Sequence, residues 1–326
     1  MKRLIPIIAL ILMFAGVNCF LYFTITRRLT NNFGGTDQLK NVDVREFLPF
    51  EEESDLVRLD SSLRFGPNDD LPVLDGAAAL VPVYAAVIDN CYPEGSVKYE
   101  GGEFSDDNVY GENFAKDSAM QYHNTIRGFN AVVDGGVDMF FTAHPSAEQM
   151  EYAKEQNAEL EIVPVGREAF VFFVNSKNTV DELSADQIRG IYRGEIKNWK
   201  DVGGSNRLIN PLTRIKSSGS QTMMEHFMNA EVEPHRSPLS IFGGAIGYSF
   251  RYYLSGMVAD ENVKMLSVNG VYPDKENIKN GSYPISAYFY VVYRKDNDNE
   301  NIPKLLDWLL SAEGQRLIEE SGYVGL

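Results

Sequence analysis

The segment Thr213-Arg214-Ile215-Lys216-Ser217-Ser218-Gly219-Ser220-Gln221-Thr222 sets an arginine and a cluster of hydroxyl residues ahead of the helix-like run Met223 to Ala230. Those residue types in that order suit an oxyanion. A guanidinium offers a planar fork of donors to two oxygens of one anion. Glycine admits a close backbone approach, and the N–H groups of a first helical turn point together at one spot. Ser218 and Ser220 add hydroxyl donors. The same cluster also reads as a capped loop with no ligand, because serine before a helix is a common N-cap.

Composition excludes several other chemistries. The 326 residues carry 46 acidic and 30 Lys or Arg side chains, a formal net charge of −16, which argues against nucleic acid as a partner. A small anion in a cleft is not excluded, since local N–H dipoles and one arginine hold it. Two cysteines, Cys19 and Cys91, give no disulfide framework. His123, His144, His226 and His235 lack metal-site spacing, so no metal and no cofactor is expected. There is no G-x-S-x-G, P-loop or H-E-x-x-H pattern, and no base is spaced to activate the serines near Arg214. The chain reads as a binding protein rather than an enzyme.

The elements that must position these groups follow from pattern. Leu4 to Thr26 is a run of 23 mostly apolar residues flanked by Lys2, Arg3, Arg27 and Arg28, long enough to span a bilayer. It reads as an uncleaved signal anchor over 1–28, with a lipoprotein signal at Cys19 or a cleaved signal as alternatives. Residues 29–68 lack a sustained period and read as a linker, the folded body beginning near Asp69. Beyond it, strand-like and helix-like segments alternate, the pattern of a layered α/β fold. Helices are expected over Ala77–Cys91, over Ile126–Val133 with Thr125 as cap, and from a Ser146/Gln149 capping box to Gln156. Val137–Thr142 reads as a buried strand, and Val163–Asn175, with Phe170-Val171-Phe172-Phe173-Val174, as a strand covered on both faces. Ile302–Glu320 reads as one amphipathic helix ended by Gly322.

A series of phrases then carries a family resemblance. They are Asp75-Gly76-Ala77-Ala78-Ala79-Leu80-Val81-Pro82-Val83-Tyr84, Gly136 to Phe141, Pro164 to Asn175, and Leu183 to Gly204 with its Ile191-Tyr192-Arg193-Gly194-Glu195-Ile196-Lys197-Asn198-Trp199 core. Gly244 to Tyr248, Tyr283 to Ser286 and Leu309 to Gln315 follow in order. From Asp75 to Leu326 the chain resembles the PstS-like phosphate-binding proteins of phosphate ABC transporters, in the type 2 periplasmic-binding-protein superfamily.

The resemblance implies two α/β lobes joined by two crossover segments: lobe 1 from 69–168 and about 275–326, lobe 2 from 169–274. It implies an extracytoplasmic protein, a monomer, that captures phosphate or a similar oxyanion between the lobes and delivers it to an ABC permease. A membrane-tethered extracellular sensor built on the same lobes is the alternative. Arg214, Ser218, Gly219 and Ser220 match the family's arginine and Ser-Gly-Thr positions, with serine for threonine. Ala78 and Ala79 are expected to offer main-chain N–H groups, although alanines replace the hydroxyl residue usual there. Thr125 resembles a family hydroxyl residue and also reads as a simple cap. Asp138, a carboxylate in an apolar strand, is a candidate acceptor for the proton of hydrogen phosphate, and the corresponding acid alternatively belongs one loop later, at His144-Pro145-Ser146.

Overall fold

A computed structural model describes residues 13–14, 16–20, 42–102, 112–214, 216–232, 243–258 and 261–326. The strands among them are β1 (Leu74–Gly76), β2 (Tyr99–Gly102), β3 (Glu112–Phe114), β4 (Met139–Thr142), β5 (Leu160–Asn175), β6 (Glu182–Leu183), β7 (Ile209–Pro211), β8 (Gly244–Phe250), β9 (Val263–Met265), β10 (Ser267–Val268) and β11 (Ser286–Arg294). The α-helices are α1 (Val81–Cys91), α2 (Asn124–Val133), α3 (Ala147–Glu155), α4 (Ala185–Tyr192), α5 (Gly219–Met228), α6 (Lys275–Lys279), α7 (Asn301–Leu310) and α8 (Ala312–Glu320).

Seven strands form one mixed sheet in the order β1-β4-β11-β5-β8-β7, with β9 added beside β5. The 16-residue β5 is its spine. The first part of β5 pairs antiparallel with β11, Leu160 opposite Arg294 and Ala169 opposite Ser286. From Phe170 to Asn175 it pairs instead with β8 and β9. The apolar run Phe170–Val174 is buried throughout, as expected for a strand covered on both faces.

Separate apolar clusters cover the two ends of this sheet. Around its β1-β4-β11 end, Leu74, Tyr84, Phe141, Phe289, Leu305 and Ile318 form one core. Phe129, Val132, Phe140 and Val292 form a smaller one under α2. At the other end, Phe172, Tyr192, Trp199, Phe227 and Tyr248 form the core on which α4 and α5 pack. The capping box expected at Ser146 is present: its Oγ accepts from the Gln149 N–H at 3.2 Å, and the Gln149 Oε1 accepts from the Ser146 N–H at 2.8 Å.

Four local expectations are corrected. Residues 42–68 are not a free linker. Val44 and Phe47 are buried in the first core, and polar groups of α1 hold the segment, Asn90 accepting from Leu59 N–H at 2.6 Å and Asp89 from Arg58 Nε at 2.9 Å. Apolar residues in an irregular chain laid over a helix need no period, which is why none was visible. Thr125 does not cap α2, which starts two residues earlier than expected, at Asn124, with His123 at its N-cap. The helix expected from Ala77 begins as a 3-10 turn over Ala78–Leu80 and becomes α-helical at Val81. The C-terminal amphipathic stretch is two helices. Ser311 breaks it with an extended ψ of 171° and caps α8, its Oγ accepting from Gly314 N–H at 3.4 Å. A Cβ on Gly314 would meet Leu309 Cα and Trp308 O at 2.4 Å, so the corner requires glycine.

The signal-anchor expectation over 1–28 falls largely outside the described residues; Met13, Phe14 and Gly16–Phe20 are helical. Among the described residues no helix is long and apolar enough to cross a membrane.

At the turnover point of β5, the carboxylate of Glu168 is buried, with Oε1 3.3 Å from the Arg251 Nε. The pair is within ion-pair distance but is not aligned as a hydrogen bond; Oε1 instead accepts from the N–H groups of Ala169 at 3.0 Å and Tyr252 at 3.4 Å. Burial pushes the Glu168 carboxyl up, against the pull of the Arg251 charge. Removing one member of a buried pair strands the other. Urea denaturation of Glu168→Ala is therefore expected to show a loss of about 3–5 kcal/mol, and Glu168→Gln, which keeps an acceptor for both backbone N–H groups, a smaller one. Equal losses from the two variants would contradict this account of the junction.

Candidate functional site

Strand polarity decides which ends of these elements meet. Parallel β1 and β4 run side by side, Gly76 opposite Phe141, so both deliver their following loops to the same edge of the sheet. From β1 the chain enters the Ala78–Leu80 turn, and the Ala77 N–H donates to Phe141 O at 2.8 Å. From β4 it enters Ala143 and the N-terminus of α3. The N-terminus of α2 reaches the same edge, where the Gln149 amide donates to Thr125 O at 3.3 Å.

Onto this edge comes the first turn of α5. Ser218 is its N-cap, with Oγ accepting from Gln221 N–H at 3.3 Å, the role sequence predicts for a serine before a helix. Helix geometry leaves the N–H groups of Gly219 and Ser220 outside the intrahelical ladder. A Cβ built on Gly219 would lie 3.6 Å from Phe250 Cε2, 3.9 Å from Ala143 Cβ and 4.0 Å from Thr125 Oγ1. Residues nearly a hundred positions apart in sequence, from opposite ends of the sheet, thus share one small space. The Arg214 N–H faces Gln221 Oε1 at 3.1 Å and the Tyr248 hydroxyl at 3.2 Å, so main-chain bonds fix where this side chain starts. Its positive charge reaches buried Tyr253, whose phenol is raised by burial and partly drawn back by Arg214.

An ion pair spans the same gap beside the loop. Lys216 Nζ lies 2.9 Å from Glu148 Oε1 in the first turn of α3, and Ser217 Oγ donates to Glu148 Oε2 at 3.3 Å. The lysine holds the Glu148 carboxyl below its ordinary value.

Of the residues singled out in the sequence, Gly219 and Thr125 are brought together directly; Ser218, Ser220 and Arg214 belong to the same helix start and its approach, and Ala78 to the turn at the same edge. Ala79 lies in that turn too, with its carbonyl accepting from the Tyr323 hydroxyl. Asp138 is elsewhere. It precedes β4, at the opposite edge of the sheet, roughly 15 Å from Ala143 at the rise of an extended chain. Its oxygens accept from Val73 N–H and from the Asn297 amide, both at 2.7 Å, so the carboxylate is satisfied by joining β1 to the loop after β11. That corrects its reading as a ligand: the half-buried carboxylate is hydrogen-bonded within the scaffold.

Two polar groups at this edge were missed. Asp75, wholly buried at the middle of β1, accepts from Gly76 N–H at 2.7 Å and His123 N–H at 3.1 Å through one oxygen, and its other oxygen lies 2.7 Å from His123 Nδ1. Asn124 follows, with φ of 60°. In the sequence Asp75 stands only at the head of a family phrase and His123 is one of four histidines without metal-site spacing; only their joint arrival at one strand end gives them a role. Among the described residues no group of three or more His, Cys, Asp or Glu is placed to hold a metal ion.

A family model for the PBP superfamily domain matches residues 112–313, more than half of the chain. The chain belongs to the PBP superfamily. It is 28% identical over 225 residues to the phosphate-binding protein PstS of Bacillus subtilis, covering 65% of this chain and 72% of that one. It is 26% identical to the protein of the same name from Borreliella burgdorferi, covering 49% of this chain and 63% of that one, a little under two thirds of its length. The fold is similar to that of a Clostridium perfringens protein described as a phosphate ABC transporter substrate-binding protein and solved with bound phosphate, with a TM-score of 0.57, 20% identity and coverage of 78% and 99%. An ABC-type phosphate transport receptor from Vibrio cholerae aligns at a TM-score of 0.54 and 20% identity, covering 78% and 100%.

The Asp75 hydrogen bond holds the His123 imidazole above its ordinary pKa; burial and the charge of Arg127 oppose it. A histidine raised on folding stabilises the protein fully below its unfolded pKa of about 6.5, and that contribution is lost as pH rises through the folded value. The difference in thermal midpoint between the wild type and His123→Gln is therefore expected to be largest near pH 5.5 and to shrink toward pH 8.5. A difference that does not vary with pH would show that the Asp75 contact carries no imidazolium.

Proposed function

We propose that this chain is an extracytoplasmic solute-binding protein that captures an inorganic oxyanion, phosphate, between two lobes and delivers it to an ABC permease. The observation that carries this reading is the approach of Gly219, at the start of α5, to Thr125 and Ala143 at the far end of the sheet. Two helix starts meeting across a gap present N–H groups to one small volume, and the chain enters α5 through an arginine. The family membership and the phosphate-binding names of the relatives point the same way. Arg214, Ser218, Gly219 and Ser220 serve as the donors on one side, and Thr125 with the Ala78–Ala79 turn as those on the other.

The lobes of this reading are 69–168 with about 275–326, joined by the packed segment from Val42, and 169–274. They rock about β5 and the return segment that precedes β11, and closure over the anion presents the permease with a loaded form. The apolar run Leu4–Thr26 tethers the monomeric body to the outer face of the membrane. The net charge of −16 is no obstacle, because the bound anion is held by groups a few ångströms away while distant carboxylates are screened by salt.

Calorimetric titration of the protein with phosphate, sulfate, molybdate and a phosphonate tests the reading. Arg214→Ala is expected to weaken phosphate binding by about 2–4 kcal/mol, the loss of charge-assisted bonds with incomplete additivity. The main-chain N–H of residue 214 keeps its bonds to Gln221 and Tyr248 in the variant, and its thermal midpoint is recorded alongside to confirm folding. Equal phosphate affinity in wild type and variant would sink the assignment of Arg214.

A further inference from the structure

At the lobe 1 side of the gap, three donors converge on one atom. Asn124 Oδ1 accepts from Thr125 N–H at 2.7 Å, from Thr125 Oγ1 at 3.3 Å and from Ala78 N–H at 3.4 Å. The donors come from the start of α2 and from the turn after β1, 46 residues away. Because all three partners donate, the atom facing them is the amide oxygen. A carbonyl oxygen has two lone pairs, and two of the three contacts are long, so this oxygen is held by one good bond and two weak ones. Asn124 holds its place with φ of 60°, a left-handed conformation that asparagine tolerates better than most residues.

These donors are the ones an oxyanion would use on this side. The positive end of α2 and the N–H of the Ala78 turn meet at a partially negative oxygen, beside Thr125 Oγ1 and hence beside Gly219. We infer that the Asn124 carboxamide is an internal stand-in for one oxygen of the ligand, which an incoming anion must displace. The residue thereby lowers affinity and raises selectivity: only a ligand whose oxygen is a stronger acceptor than a neutral amide exchanges with it. The inference rests on the oxyanion-binding reading of the site and adds a displaceable competitor to it.

Two variants of the full chain test it by calorimetric titration with inorganic phosphate, each checked for folding by its thermal transition. Asn124→Gly removes the competing oxygen and suits the left-handed backbone. It is expected to tighten phosphate binding about five- to tenfold, the worth of one neutral hydrogen bond. Asn124→Asp keeps the shape but puts a carboxylate on the same donors, and is expected to weaken binding on the order of a hundredfold or more. If the wild type binds phosphate and Asn124→Gly binds it equally or more weakly, Asn124 is a structural cap and this inference fails while the binding reading stands. If only Asn124→Gly binds, the competitor is strong and the inference is upheld. If neither the wild type nor Asn124→Gly binds phosphate, both readings fall.

Discussion

One strand holds the two halves of the molecule in register. The backbone of β5 gives its first ten residues to β11 and its last six to β8 and β9, so the two apolar cores share a covalent and hydrogen-bonded spine. A shift of one residue at either partner would turn its apolar face outward, and the burial of Phe170 to Val174 on both faces forbids that. Everything at the candidate site follows from this fixed geometry: Phe250 ends β8, Ala143 follows β4, and the strands between them set their separation.

The site itself is made from chain ends of regular elements, not from a dense cluster of charges. Three helix starts, those of α2, α3 and α5, gather at one edge, and each leaves donors that its own ladder does not use. Some are taken by local side chains: Ser218 receives the Gln221 N–H, and the capping box of α3 closes its own first turn. In the proposed reading, the donors that remain face one gap in an acidic protein. Its selectivity depends on which acceptors are already present, which is why a neutral amide at Asn124 matters more there than many distant carboxylates.

How much of this could be read in advance depended on range. Local chemistry was legible. The Ser146/Gln149 box, the buried strand at Phe170–Val174 and the serine cap ahead of α5 each rest on residues within a few positions, and each is present. Features that depend on tertiary packing were not legible. The 42–68 segment has no period because α1 supplies its partners; the C-terminal stretch keeps its amphipathic pattern across the break at Ser311, so periodicity passes over the corner. Asp138 drew attention as a charge in an apolar strand, but it is half-buried just before β4, and its partners Val73 and Asn297 are far away in sequence. The same distance hid the pairing of Asp75 with His123 and of Ala78 with Asn124. Thr125 was chosen for its hydroxyl, yet its neighbour Asn124 carries the acceptor.

The central claim is that one anion is held from both sides of the gap at once. Amide proton–nitrogen NMR spectra recorded during a phosphate titration read this residue by residue. The account predicts that the N–H signals of Gly219 and Ser220 on one side and of Ala78 and Thr125 on the other shift together, fitting a single dissociation constant. Phosphate binding that moves one set and leaves the other in place, or two sets that titrate with different constants, would contradict it.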